Sequence, residues 1–236
     1  VILQRVGTVK AQRSPPGEDD LDAARAAVLR APDDPAGWFR LCRVLLERRD
    51  PEAAGIGARL ERYADYAPGW CELGGVLLRA GQVEAALVVF TRATAADPDL
   101  AAAHLGRGLC LRQMGDIAAV AAFERAVRLD DTLAEGWFAL GGMRQDCGDL
   151  GGAVEAYRAA LRASPDLHEA AFNLGVALLD CGEVEPALDA FARALHTRPS
   201  AFGRVAQALV SGPVGCLWLD PEGLRRALSE RDVGAL

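Results

Sequence analysis

Apolar positions along this chain recur in a fixed order. In "GWCELGGVLLRAGQVEAALVVF", Gly69 to Phe90, the residues Trp70, Leu73 and Gly74 are three and one apart and share one stripe of a helix. Gly81 then interrupts the run, and Ala86 and Phe90, four apart, fall on one face of a second helix. Trp137, Leu140, Gly141, Gly148, Ala153, Tyr157 and Pro165 repeat that order, and Ala171, Leu174, Gly175, Gly182, Ala187, Phe191 and Pro199 follow them 34 residues later. Each copy predicts a helix, a glycine turn and a second helix. The glycines and alanines let helix axes approach closely, and Trp38, Trp70 and Trp137 fill the space beside the second helices. Phe90, Phe123, Tyr157 and Phe191 are expected to reach into the next helix pair.

This period and these landmarks resemble the tetratricopeptide repeat (TPR) family. The resemblance implies an all-α fold, an α-α superhelix or solenoid of antiparallel helix pairs, with a concave face lined by first helices. Residues 1–19 read as a poorly ordered lead-in and 20–210 as the array. Units fall at about 35–66, 67–100, 101–133, 134–167 and 168–201, with partial units at both ends, and 211–236 is a capping segment or linker. Asp20 to Asp22 predict a cap on a helix from Ala23 to Arg30, and Asp220-Pro221 predicts another helix start. "SGPVG" breaks the chain before it, and "CLWL" is expected to pack on the end of the stack. In the unit at 101–133, His104 stands where tryptophan is expected. Gly115 lies one residue closer to the next helix, predicting a tighter turn, and Asp131 replaces the joining proline, predicting a looser join.

Charge and chemistry narrow the function. A net charge of -7 without a Lys/Arg run excludes a nucleic-acid partner, and no run approaches the ~20 apolar residues of a membrane helix, so no membrane insertion is expected. Cys42, Cys71, Cys110, Cys147, Cys181 and Cys216 lack disulfide or ligand spacing and read as small reduced core residues, which favours a cytoplasmic location and no metal. His104, His168 and His196 lie in separate units with no triad spacing, and the glycines of "LGG" sit within a helix, where they cradle no phosphate. No catalytic residue and no cofactor is expected.

On each first helix the residue after the tryptophan position, then four and seven further on, form a second stripe. In a TPR array it faces the concavity. It reads Phe39/Arg43/Leu46, Cys71/Gly75/Leu78, Leu105/Leu109/Arg112, Phe138/Gly142/Gln145 and Phe172/Val176/Leu179. Arg43, Arg79 and Arg112 belong to early units, whereas Glu135, Asp146, Glu169 and Asp180 belong to late ones. Gly75 and Gly142 leave hollows for a bulky anchor. The chain therefore reads as a non-catalytic scaffold or adaptor holding an apolar or amphipathic segment of a partner protein, acidic toward the early units and basic toward the late ones. Covering of the stripe by the chain's own termini, or self-association through a second protomer, is the competing expectation. Of two ligand modes known in the family, a carboxylate clamp lacks its cations, since only Arg43 is basic among Phe39, Arg43, Cys71, Glu72 and Ala102. An asparagine ladder is reduced to Asn173, with Arg40, Glu72, Gly106 and Ala139 at the matching positions. The alternative, again from resemblance, is a recognition module of a bacterial glycosyl-, sulfo- or methyltransferase whose catalytic domain lies outside this chain; an opening Val rather than Met keeps it open.

Overall fold

A computed structural model of the protein describes residues 16–211 and 221–231. The described residues contain helices and turns and no strand. Two compact units divide the chain, Val1–Ala96 and Asp97–Leu236. The first holds α1 (Glu18–Arg30), α2 (Pro35–Arg48), α3 (Glu52–Leu60), α4 (Ala67–Arg79) and α5 (Val83–Ala96). The second holds α6 (Ala101–Gln113), α7 (Ala119–Leu129), α8 (Ala134–Asp146), α9 (Leu150–Ala163), α10 (His168–Asp180), α11 (Val184–Thr197), α12 (Phe202–Ser211) and α13 (Pro221–Ser229). Short turns make antiparallel partners of α2 and α3, α4 and α5, α6 and α7, α8 and α9, and α10 and α11.

The turns are built alike. Gly81, Gly115, Gly148 and Gly182 all take a left-handed backbone, φ 76°, 75°, 79° and 82°, which a side chain would strain. The amide after each glycine turns back to the preceding helix: Gln82 donates to the Leu77 carbonyl at 2.9 Å, Asp149 to Arg144 at 2.9 Å and Glu183 to Leu178 at 2.8 Å. Arg49 holds the corresponding place after α2 with φ 59° and without glycine's freedom.

The helix glycines and the second-helix rings form matched pairs within each unit. A Cβ on Gly74 would come within 2.8 Å of the Phe90 ring, and one on Gly141 or Gly175 within 2.6 Å of Tyr157 or Phe191. The rings thus pack onto their own unit's first helix. Gly108 and Phe123 make the same pair at 2.6 Å. It escapes the sequence pattern because Arg107 replaces the leucine that precedes glycine elsewhere.

The tryptophan position has a second task. Trp38 donates its ring N–H to the Pro32 carbonyl at 2.7 Å, Trp70 to Ala64 at 3.2 Å and Trp137 to Asp131 at 2.9 Å, each six residues back. His104 places Nε2 2.9 Å from the Pro98 carbonyl, also six back, so it substitutes for the indole N–H in the tautomer protonated at Nε2. Its Nδ1 is buried without a hydrogen-bond partner. Trp70 is buried, whereas Trp38 and Trp137 are only half-buried, so the ring binds the incoming joint as much as it fills the pair.

One expected departure in the unit at 101–133 turns out otherwise. The turn at Gly115 keeps its usual bond, Asp116 N–H to the Leu111 carbonyl at 2.9 Å; the missing residue is instead lost from the next helix. Asp116 Oδ1 accepts from Ala118 N–H, and α7 starts late, with 11 residues against 14 in α9. At the join, Asp130 Oδ1 accepts from both the Thr132 amide at 3.0 Å and its hydroxyl at 2.6 Å.

At the N-terminal end, α1 begins at Glu18, inside the expected lead-in. Glu18, Asp19 and Asp20 put carboxylates in its first turn, and Asp20 Oδ2 accepts from Gly17 N–H at 3.0 Å. At the other end α13 docks on α11. Leu224 and Leu228 are 1% and 3% exposed within the same core as Leu188, Phe191, Val205 and Leu209. Arg231 extends the seam, pairing with Glu185 at 2.6 Å and with Asp189. The expectations for "SGPVG", "CLWL", Cys216 and residues 1–15 lie outside the described residues.

Candidate functional site

In the unit Asp97–Leu236 the first helices stand side by side, α8 touching both α6 and α10. Their shared face carries Leu105, Leu109 and Arg112 from α6, Phe138, Gly142 and Gln145 from α8, and Phe172 and Val176 from α10, all half-buried. Leu179 is 3% exposed and belongs to the core, a correction to the expected stripe. The Phe138 ring lies 6.0 Å from Tyr157 and the Phe172 ring 5.7 Å from Phe191, so each rests on a core ring and shows its other side outward. Over Phe172 that side is partly covered by the Arg204 guanidinium of α12, 4.2 Å from the ring centroid. At Gly142 the surface is open: a Cβ there would meet only the Tyr157 hydroxyl, at 3.9 Å. That hydroxyl donates to Gln145 Oε1 at 3.0 Å, and burial pushes its pKa up to about 12, so it stays protonated.

In the unit Val1–Ala96 the stripe is less open. Phe39 is 1% exposed, edge-on to Trp70 at 4.9 Å and tilted against Tyr66 at 5.3 Å. It is a core ring rather than a contact residue. Gly69 makes this possible, since a Cβ there would come within 2.4 Å of the Phe39 ring. Arg43, Leu46, Cys71 and Leu78 are half-buried and Arg79 is exposed. Arg43 and Arg79 both turn to Glu47, at 3.7 and 3.5 Å, which removes them as free cations. Gly75 leaves room, with only Arg79 Nη1 at 3.5 Å from a Cβ built there. A crevice of about 330 Å³ opens between the starts of α2 and α4, with Arg40, Arg43 and Glu72 among its lining residues.

The thiols divide. Cys42 and Cys110 are buried, and burial raises each to about 11; Cys71, half-buried, is likewise raised to about 11. Cys147 and Cys181 are exposed, not core, because each sits one residue past the end of its helix, before the turn glycine. Among the described residues no three His, Cys, Asp or Glu side chains converge as a metal site would, and no helix is long and apolar enough to cross a membrane.

A family profile described as tetratricopeptide repeat matches residues 71–134 and 144–202, ranges that take in the Gly74–Phe90, Gly108–Phe123 and Gly175–Phe191 pairs. The chain belongs to the tetratricopeptide repeat family. No curated protein sequence matches it. Solved TPR structures share its fold. YrrB, described as a TPR protein with an unusual peptide-binding site, aligns with a TM-score of 0.62 at 21% identity, over 76% of this chain and 94% of its own. MamA of Desulfovibrio magneticus RS-1 aligns at 0.58 and 19% identity, over 77% and 97%. A thermophilic TPR protein of Thermus thermophilus, TTC0263, aligns at 0.50 and 28% identity, over 67% and 89%. Within the TPR register, the signal that would have exposed Phe39 as core is Gly69 at the start of the following first helix, a missing side chain that a ring must fill.

Proposed function

We propose that this TPR chain is a non-catalytic scaffold that holds an apolar or amphipathic segment of a partner protein on the face of α6, α8 and α10. The open surface at Gly142 carries the reading. It lies beside Phe138, within a band of half-buried apolar side chains, and above a core hydroxyl that stays protonated. Bare backbone flanked by apolar side chains leaves room for an anchor side chain of the segment. The description of YrrB as peptide-binding is consistent with this use of the fold. In the unit Val1–Ala96, Arg43, Leu46, Cys71, Leu78 and Arg79 form the corresponding contact surface of that unit.

The reading is tested by selecting displayed random 12-residue peptides on the intact chain, then measuring each selected peptide against Gly142→Met. Peptides with an apolar or aromatic anchor should enrich and lose at least about tenfold in affinity, roughly one filled anchor pocket. Selected peptides that bind the variant equally well would place the ligand elsewhere. A failure to enrich, together with a dimer that Gly142→Met dissociates, would assign the face to a second copy of the chain.

A further inference from the structure

The last two helices do not pair as the others do. Leu209 and Arg225 stand 34 residues after Gly175 and Phe191, so this end of the array has neither the glycine nor the ring that join α10 to α11. Leu209, 1% exposed, fills its own place in the core, and Arg225 lays its guanidinium over the Phe202 ring, 4.3 Å from the centroid. α13 packs chiefly on α11 instead of folding back along α12. A cavity of about 310 Å³ is left among α11, α12 and α13, with Leu195, Pro199, Phe202 and Leu228 as its larger apolar lining.

Both walls are anchored, so the gap is built in. Val205 and Leu209 fix α12 in the core, while Leu224, Leu228 and the Arg231 pairs fix α13. A void of this size is unusual for packing alone and falls in the range of small-molecule sites. Its polar lining is dominated by donors. Arg231 is already neutralised by Glu185 and Asp189, and Ser229 spends its hydroxyl proton on the Arg226 carbonyl at 2.8 Å. Arg225 is exposed and, among the described residues, makes no ion pair and no hydrogen bond. An unneutralised guanidinium beside an apolar cavity suits an anion that carries an apolar tail.

We propose that this cavity is a second binding site, for a small amphipathic anion. The ligand is a medium-chain carboxylate whose alkyl tail lies among Leu195, Pro199, Phe202 and Leu228 and whose head group meets Arg225. None of these residues belongs to the α6, α8 and α10 face, so the site stands independently of the peptide-binding reading.

Decanoate, decanamide and hexanoate, each kept below micelle-forming concentrations, are titrated into the intact, ¹⁵N-labelled chain. Decanoate should shift the Leu195, Phe202 and Leu228 amides and bind at least about tenfold more tightly than hexanoate, because its longer tail buries more methylenes. It should also bind about tenfold more tightly than decanamide, as a charge-assisted bond warrants. That preference should vanish in Arg225→Gln and persist in Arg225→Lys. Ser229→Trp, which sets a ring in the cavity, should remove decanoate binding. Arg225 and Ser229 are both exposed, so these variants should keep the wild-type spectrum elsewhere. Equal binding of decanoate and decanamide, or a preference that survives Arg225→Gln, overturns the anion site. Unchanged decanoate affinity in Ser229→Trp, shifts confined to α6, α8 and α10, or no shift at all overturns it too, and none of these results bears on peptide binding by the first-helix face.

Discussion

Gly141 and Gly142 are neighbours in α8 with opposite environments. A Cβ on Gly141 would press into the Tyr157 ring at 2.6 Å, and that ring is fully buried, so it has nowhere to go. A Cβ on Gly142 meets only the hydroxyl tip at 3.9 Å. Gly141→Ala should therefore destabilise by about 1–3 kcal/mol through overpacking. Gly142→Ala should gain up to about 1 kcal/mol from helix propensity. Urea denaturation of both variants decides it, and equal effects would mean that α8 is turned otherwise. The thiols make a second residue-scale prediction. With pKa values near 11, only about one in a thousand of the Cys42 and Cys110 thiols is ionised at pH 8, and both are also shielded. Cys147 and Cys181 should react with a disulfide reagent in the folded protein, and Cys42 and Cys110 only on unfolding; rapid native labelling of all four would contradict the burial. The glycine and ring positions of most units were legible in the sequence because close approach demands those residues. Which ring a glycine receives was not, since periodicity gives a face of a helix but not its neighbour. Phe39 illustrates the same limit: its stripe spacing matches Phe138 and Phe172, and only Gly69, on another helix, makes it core.

At the scale of elements, helix starts and turn glycines were readable from local chemistry. The left-handed turns sit at the expected glycines, and α13 begins at Pro221 as the Asp-Pro pair suggests. The late start of α7 was not readable. One missing residue can shorten the turn or the helix, and the Asp116 side chain, bonded to Ala118 N–H, decides for the helix. The docking of α13 rests on two leucines and the Arg231 pairs. Leu224, 1% exposed, packs in the core that includes α11. Leu224→Ala should cost about 2–5 kcal/mol as a core truncation. Chemical denaturation gives the value, and a loss below about 1 kcal/mol would mean that α13 contributes little to that core.

At the scale of the whole molecule, each compact unit has its own interior. Val1–Ala96 packs around Phe39, Trp70 and Phe90, and Asp97–Leu236 has a continuous core from α9 through α13. In the second unit, second helices bury their alanines and rings, while α6, α8 and α10 keep half-buried apolar side chains on a face that the fold does not consume. That division of labour between first and second helices is what the proposed function depends on. Amide hydrogen–deuterium exchange on the intact chain, with and without a saturating selected peptide, tests it most directly. Added protection should fall on α6, α8 and α10 and leave α7, α9 and α11 unchanged; protection confined to the second helices would contradict a ligand on the first-helix face.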